Sequence, residues 1–354
     1  MIKRPQVAAL TLAVLLSAAA CARGESNGGT TNPGGAGGQQ VAQSANASGP
    51  TCTLSQFGGP KLDLKTDLVG FSQSEKEANP FRIAETKSIT DEAGKLGVSN
   101  LRTTNAQSQF SKQISDVQQL IAQGAKLLVI APLNSDGWEP VLSQAAAKKI
   151  PIITVDRKIN AKACSEYLTF IGSDFYEQGK RAADQMIAAL GGKGKVAILL
   201  GAPGNNVTTD RTAGFKDRLK EKAPGISISF EQTGEFTREK GQQVTEQVIQ
   251  SRPDVNAVYA ENDEMALGAM TALKGAGKSP GEVKIVSIDG TRAAVQGIVD
   301  GWLQAVIESN PRFGPLAFDT AQKFAGGEGI PDKIVISDRE YTQANAKDSV
   351  GQAY

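Results

Sequence analysis

Histidine does not occur anywhere in the 354-residue chain. That absence removes Ser-His-Asp and Cys-His nucleophilic centres and the usual histidine-ligated metal sites, leaving only carboxylate pairs or Ser-Lys pairs as enzyme chemistry. An excess of one charge is also missing. The 38 Lys and Arg nearly cancel the 37 Asp and Glu, so nothing in the balance favours a nucleic acid or an acidic surface as partner. Long hydrophobic runs are scarce: Val7 to Leu16 is too short to span a bilayer comfortably as a permanent helix, and no stretch from Asp63 onward is long and apolar enough to cross a membrane. Cysteine is rare, at Cys21, Cys52 and Cys164. What is present is ordinary for a soluble globular chain, with 40% hydrophobic and 21% charged residues. The length suits about two domains.

The first residues have the parts of an export signal: Lys3 and Arg4, the run Val7 to Leu16, then Ser17, Ala18, Ala19 and Ala20 before Cys21. Small residues directly before a cysteine resemble the lipobox of bacterial lipoproteins, although Ala18 stands where Leu is usual. Residues 1–21 are therefore expected to be a signal peptide with Cys21 as the lipidation site, the alternative being an ordinary signal peptide cleaved nearby. From Ala22 to about Pro50 the chain is Gly, Ser, Asn, Thr and Gln with hardly an apolar side chain, too little to offset its ordering entropy. Residues 22–62 are expected to be a flexible tether and lead-in. The protein is then exported, lipid-anchored to the outer face of the cell membrane or in the periplasm. An oxidising compartment lets Cys52 and Cys164 pair, so a disulfide should tie the start of the folded body to the loop near Cys164.

The body alternates short apolar runs with longer amphipathic ones: Leu68 to Phe71 then Phe81 to Leu96, Leu127 to Ala131 then Trp138 to Ala147, Val196 to Leu200 then Thr208 to Lys220. Such alternation argues for an α/β fold, parallel sheets with helices on both faces. About ten strands fit two sheets of similar size meeting across a cleft.

Five strand ends share one polar character. Asn79, Phe81, Arg82 and Glu85 follow the first strand; Asp156 and Arg157 follow "ITV"; Asp210 and Arg211 lie in the helix start after Leu200; Asn262 and Asp263 follow Tyr259; Asp289 and Gly290 follow "VSI". In open α/β sheets ligands sit beyond the carboxyl ends of the strands. Guanidinium and carboxylate groups bridge neighbouring hydroxyls, and an aromatic face such as Phe81 covers the C–H side of a ring, so the set suits a sugar. Each pair has a duller reading. Asn262 or Asp263 can be a helix N-cap, Asp156 with Arg157 a surface ion pair, and Phe81 a core anchor. "GAGKS" at Gly275 to Ser279 follows a helix where a phosphate-binding loop follows a strand. Trp138 and Trp302 read as packing residues.

With these residues in view the chain from about Asp67 onward resembles the type I periplasmic sugar-binding proteins, the solute receptors of ABC importers. "VGFSQ", "NPFRIAET", "APLNSDGWEPVL", "VDRKI", "DRTAGF", "GEFTREKG", "YAENDEMALGAM", "SIDG" and "GPLAFD" carry the resemblance, most similar to galactofuranose binders of the ribose and galactose group. It implies two Rossmann-like lobes with parallel sheets joined by three hinge crossings, near Gly172 to Asp174, Asp289 to Thr291 and Gly327 to Pro331. The lobes would be 63–173 plus 290–328, and 174–289 plus 329–354. The implied ligand set is Phe81, Arg82, Glu85, Asp156, Arg157, Arg211, Asn262 and Asp289, with Glu308 and Asn310 on the last cleft strand; Asp210 joins it from its place beside Arg211. Phe81 stands where the galactofuranose receptor has a tryptophan, and Arg312 where it has a smaller amide. The implied partners are a monosaccharide and the importer's permease and ATPase subunits, with no cofactor, no metal, no nucleic acid and no catalysis, in a monomer. A sugar sensor feeding a membrane receptor, or an exported carbohydrate-active enzyme, are the alternatives.

Overall fold

The computed structural model describes residues 45–354. The expected export signal, Cys21 and most of the expected tether lie outside the described residues. Two sheets organise the rest. In the first, β3 (Leu101–Asn105), β2 (Val69–Gln73), β4 (Leu127–Ile130), β5 (Ile152–Val155), β6 (Thr169–Ser173) and β12 (Ile330–Ile336) run parallel in that order, and β1 (Ala45–Cys52) closes the edge antiparallel to β12. In the second, β8 (Ile226–Thr233), β7 (Gly194–Leu200), β9 (Ala257–Ala260), β10 (Lys284–Asp289) and β11 (Ala305–Glu308) are parallel, with β13 (Glu340–Thr342) antiparallel at the edge.

Most inner strands are short and largely apolar. β4 (LLVI), β5 (IITV) and β9 (AVYA) are buried at every position, as parallel strands covered on both faces must be. The covering helices are α1 (Leu54–Phe57), α2 (Pro80–Leu96), α3 (Phe110–Ala122), α4 (Glu139–Ala147) and α10 (Gly314–Ala325) on the first lobe. On the second they are α5 (Phe175–Leu190), α6 (Asn206–Lys222), α7 (Arg238–Ser251), α8 (Asp263–Gly275), α9 (Arg292–Val299) and α11 (Ala346–Ser349). Among the described residues no helix is long and apolar enough to cross a membrane. Trp138 and Trp302 are both buried in these cores.

Each sheet repeats one order, second strand, first, third, fourth, fifth. The chain therefore reverses direction of travel between β2 and β4 and again between β7 and β9, and at each reversal the strand ends open a crevice. Those two crevices face each other.

Three expectations from the sequence need correction. The tether does not run to residue 62, because β1 is a strand from Ala45, paired with β12 and held by a disulfide between Cys52 and Cys164 (Cα–Cα 5.3 Å). Of the expected crossings, the one at Gly172 to Asp174 coincides with the passage from β6 to α5. The other two do not. Asp289 to Thr291 stays in the second lobe, since α9 leads on to β11, which pairs with β10 from Val286 opposite Ala305. Gly327 to Pro331 stays in the first, since β12 pairs with β6. The chain crosses instead at 309–313 and 337–339, so the expected segment 290–328 divides between the lobes, and so does 329–354. A strand end followed by Asp-Gly looks the same whether the chain then changes lobe or adds another strand.

Candidate functional site

Several strand ends in the two crevices lead through short loops into helices, and an asparagine marks three of these junctions. Asn79, Asn205 and Asn262 are the N-caps of α2, α6 and α8, each accepting from a backbone N–H of its first turn. The cap reading of Asn262 is thus correct as far as it goes: its Oδ1 accepts from Met265 N at 3.0 Å and its Nδ2 donates to the Phe236 carbonyl at 3.1 Å. The same side chain also lines the cavity between the lobes. Asp263 does not. Its carboxylate accepts from Ser287 Oγ, Gly290 N, Thr291 N and Thr291 Oγ1, which fixes the turn that carries Asp289.

The cavity is lined from the first lobe by Glu75, Asn79, Phe81, Arg82, Asp156 and Arg157. Val207, Arg211, Phe236, Asn262 and Asp289 line it from the second. Arg82 Nη1 donates to Asp156 Oδ2 and to Glu85 Oε2, both at 2.8 Å, while its Nε donates to Glu75 Oε2 at 2.9 Å. Arg157 donates from Nη2 to Glu75 Oε1 at 2.7 Å, and its Nε is buried without a partner. Glu75 thus joins the two guanidiniums. Burial pushes its carboxyl up, but Arg157 and Arg82 outweigh that and hold it at about 2.

On the facing lobe, Arg211 donates from Nε to Gln178 Oε1 at 3.0 Å and from Nη1 to the Glu261 carbonyl, and its Nη2 lies 3.6 Å from Asp289 Oδ1. This reach depends on a close approach of α5 and α6. A Cβ on Gly179 would sit 2.3 Å from the Arg211 carbonyl, and one on Gly214 2.0 Å from that of Tyr176, so both positions need glycine. Burial raises the Asp289 carboxyl well above the usual range, Arg211 opposes this, and Asp263 and Asp156 add to it. Two rings complete the wall. Phe81 lies beside Phe313 and Tyr354 with centroids at 6.4 and 6.1 Å. Phe236 enters on a left-handed turn (φ 61°), its ring 5.9 Å from the Arg157 guanidinium carbon.

Seven of the eleven residues singled out in the sequence line this cavity: Phe81, Arg82, Asp156, Arg157, Arg211, Asn262 and Asp289. Four do not. Glu85 is buried behind Arg82, taking its Nη1 and the Gln73 amide, and burial lifts its carboxyl to about 7 against the pull of Arg82. Asp210 points elsewhere because successive helical residues diverge by about 100°, and it accepts from Asn206 Nδ2 at 3.2 Å. Glu308 is spent on Tyr341 Oη and Arg339 N, at 3.1 and 3.0 Å. Asn310 accepts from Arg312 N in the second crossing. The lining residues missed are Glu75, Val207 and Phe236, while Asn79, read among the polar strand ends but outside the implied ligand set, lines the cavity as well. Glu75 had a usable signal: two arginines buried side by side require a carboxylate between them, and Glu75 is seven positions from Arg82.

Direct hydrogen bonds join the lobes at the rim of the cavity. Ser135 N donates to the Gly204 carbonyl and Lys158 N to Asn206 Oδ1, both at 3.0 Å. The arrangement is therefore a polar cavity enclosed from two sides, charge-balanced by arginine and carboxylate pairs, with an aromatic ring on each side.

Comparison with known proteins agrees with this geometry. Residues 69–329 match the model of the periplasmic binding protein domain. The chain is 36% identical to the galactofuranose-binding protein YtfQ of Escherichia coli over 274 residues, 76% of this chain and 85% of that one. It is 35% identical to the ribose import binding protein RbsB of Bacillus subtilis over 257 residues, 72% and 81% of the two chains. Among solved structures, the binding protein of the arabinose ABC transporter from Shewanella sp. ANA-3, bound to α- and β-L-arabinofuranose, superimposes with a TM-score of 0.77 at 36% identity, covering 80% of this chain and 94% of that one. These relatives are solute-binding proteins and not enzymes. The chain belongs to the periplasmic binding protein family, in the type I sugar-binding group that holds the ribose and galactofuranose binders.

Proposed function

We propose that the protein is the substrate-binding lipoprotein of an ABC importer, anchored through Cys21, and that it takes a monosaccharide in furanose form between its lobes. One observation carries the reading. Arg82, Asp156 and Arg157 from one lobe face Arg211, Asn262 and Asp289 from the other across a cavity with Phe81 and Phe236 in its walls. Arginines donate in pairs, the two aspartates accept, and the asparagine amide does both, which covers the donor and acceptor sides of several hydroxyls at once. The rings offer apolar faces to the C–H side of a sugar. Relatives named for galactofuranose and arabinofuranose support the ring form.

Binding to both lobes together favours the closed arrangement, because only there do the two sets of polar groups reach one ligand. The permease and ATPase subunits are the partners that such a closed form serves. A thermal-shift screen against galactose, arabinose, ribose, xylose and glucose, followed by calorimetry and mass spectrometry of co-purified ligand, tests the reading. A stabilised melt with one or two of these sugars is expected. No shift with any of them, and no sugar co-purified, removes it.

A further inference from the structure

Beside the ligand cavity lies a second, larger space. Glu75, Asn79 and Phe236 line both, so the two meet across these three side chains. The outer space is the larger of the two and opens to solvent. Both lobes wall it. Asn134 and Pro203 belong to its lining and are the immediate neighbours of Ser135 and Gly204, whose backbones join the lobes, so the chamber runs along that rim contact.

Its chemistry is mixed in a particular way. Leu133, Ala202, Pro203 and Phe236 form an apolar panel, while Asn79, Ser108 and Lys76 present an amide, a hydroxyl and an ammonium group. The remaining charges cancel locally: Arg238 forms two hydrogen bonds with Glu264, at 3.0 and 2.8 Å, and Glu235 is ion-paired with Lys240. A phosphate would need a surplus of positive charge and a lipid tail a wholly apolar wall. An apolar panel beside amide and hydroxyl groups matches a carbohydrate ring. The boundary between the two spaces is also the least sealed part of the inner wall. The Glu75 side chain keeps 17% of its surface exposed, where Arg82 and Arg157 beside it keep 4% and 2%.

We propose that the chamber is a second glycosyl subsite, so that the ligand class extends to furanosides: one furanose ring in the inner cavity, joined through its glycosidic oxygen past Glu75 to a second sugar unit between Leu133 and Pro203. The proposal rests on the sugar reading given above. It follows from a larger space that joins the inner cavity at Glu75, Asn79 and Phe236 and that both lobes line with ring-binding walls.

Calorimetry with L-arabinose, D-galactose and the matching arabinofuranosyl and galactofuranosyl disaccharides separates the cases. For the sugar type that binds, the disaccharide is expected to bind within about tenfold of its monosaccharide, a difference of no more than ~1.4 kcal/mol. Ala78→Trp fills the chamber from an exposed loop position that is not part of the inner cavity's lining. It should weaken the disaccharide by about tenfold or more and change the monosaccharide by less than about threefold. Lys76→Trp on the same loop repeats this arm, with melting curves confirming the fold of each variant. Monosaccharide binding with no detectable disaccharide binding overturns the subsite, and so does a loss in these variants that is equal for both ligands or absent for both. Failure of every sugar to bind overturns the functional reading itself, and the subsite with it.

Discussion

Arg157 is the side chain on which the first lobe's half of the cavity turns. It is 2% exposed, donates to Glu75 and to the carbonyls of Pro132 and Leu133, and keeps Nε free beside the cavity. Arg157→Ala, and Asp289→Ala on the facing lobe, should each cost about 2–5 kcal/mol of sugar binding, the scale for truncating one member of a buried hydrogen-bonded charge pair. Calorimetry with the cognate sugar measures this, and unchanged affinity in both variants would mean that the ligand binds elsewhere. Titration adds a second expectation. Burial raises Glu261 to about 7 and Glu85 to about 7, and Asp263 and Asp338 to about 6. An acid whose pKa is higher folded than unfolded binds its proton more tightly in the native state, so stability is greatest below the unfolded pKa and falls as pH rises towards the folded one. Melting temperature should therefore drop between roughly pH 4 and pH 7, and Glu261→Gln should flatten that slope. Glu75 acts in the opposite sense, its contribution being lost only as pH falls from its ordinary 4.5 towards about 2. The arginines, aspartates and Asn262 were legible in sequence because they stand at strand ends, where an α/β sheet gathers its ligand groups. Glu85, Asp210, Glu308 and Asn310 show the limit: a polar residue near a strand end reads alike whether it faces the ligand, braces a neighbour or caps a turn.

Among the elements, β1 is the one least able to hold itself in place. Six of its eight residues are exposed, and its pairing with β12 is interrupted by a register shift between Ser48 and Thr51, around Gly49 and Pro50. Little apolar burial fixes it to the sheet. The Cys52–Cys164 disulfide spans 112 residues and does that work covalently. Replacing both cysteines by alanine should destabilise the protein by about 2–5 kcal/mol, the usual cost of deleting a native disulfide, with faster amide exchange in β1 and less in β5 or β9. A variant melting like the parent, with β1 still protected, would show that strand pairing alone suffices. The same element explains what the sequence left hidden in the fold. Buried parallel strands announce themselves as apolar runs such as LLVI and AVYA, whereas β1 reads ANASGPTC and β12 carries Pro331, Asp332 and Lys333. Edge strands bury one side or none, so their composition is that of a loop. For that reason β1, β12 and β13, and two of the three crossings, came only with the structure.

At the scale of the whole molecule, the question is how the cavity communicates with the segments that join the lobes. Gln178 on α5 provides a direct path. It is 1% exposed, accepts from Arg211 Nε at 3.0 Å, and donates from Nε2 both to the Glu308 carbonyl at 3.1 Å and to Asp338 Oδ2 at 2.8 Å. Glu308 ends β11 where the chain leaves for the first lobe, and Asp338 lies in the last crossing, where its Oδ1 also accepts from Asn310 N at 3.2 Å. One amide therefore holds a cavity arginine against two of the three crossings. If closure turns on those crossings, the lobe angle and the position of Arg211 should be coupled through Gln178. Gln178→Ala leaves Arg211 Nε and the Asp338 carboxylate without that partner, a loss of about 1–3 kcal/mol for buried groups left unsatisfied. Two readouts distinguish coupling from simple destabilisation. Small-angle scattering of the parent should show a smaller radius of gyration with saturating sugar than without it. In Gln178→Ala the sugar should still bind, more weakly, while the scattering change at saturation shrinks. A variant that binds weakly yet closes fully would place Gln178 among the supports of Arg211 alone, and a parent whose radius ignores sugar would show that the lobes do not move on binding.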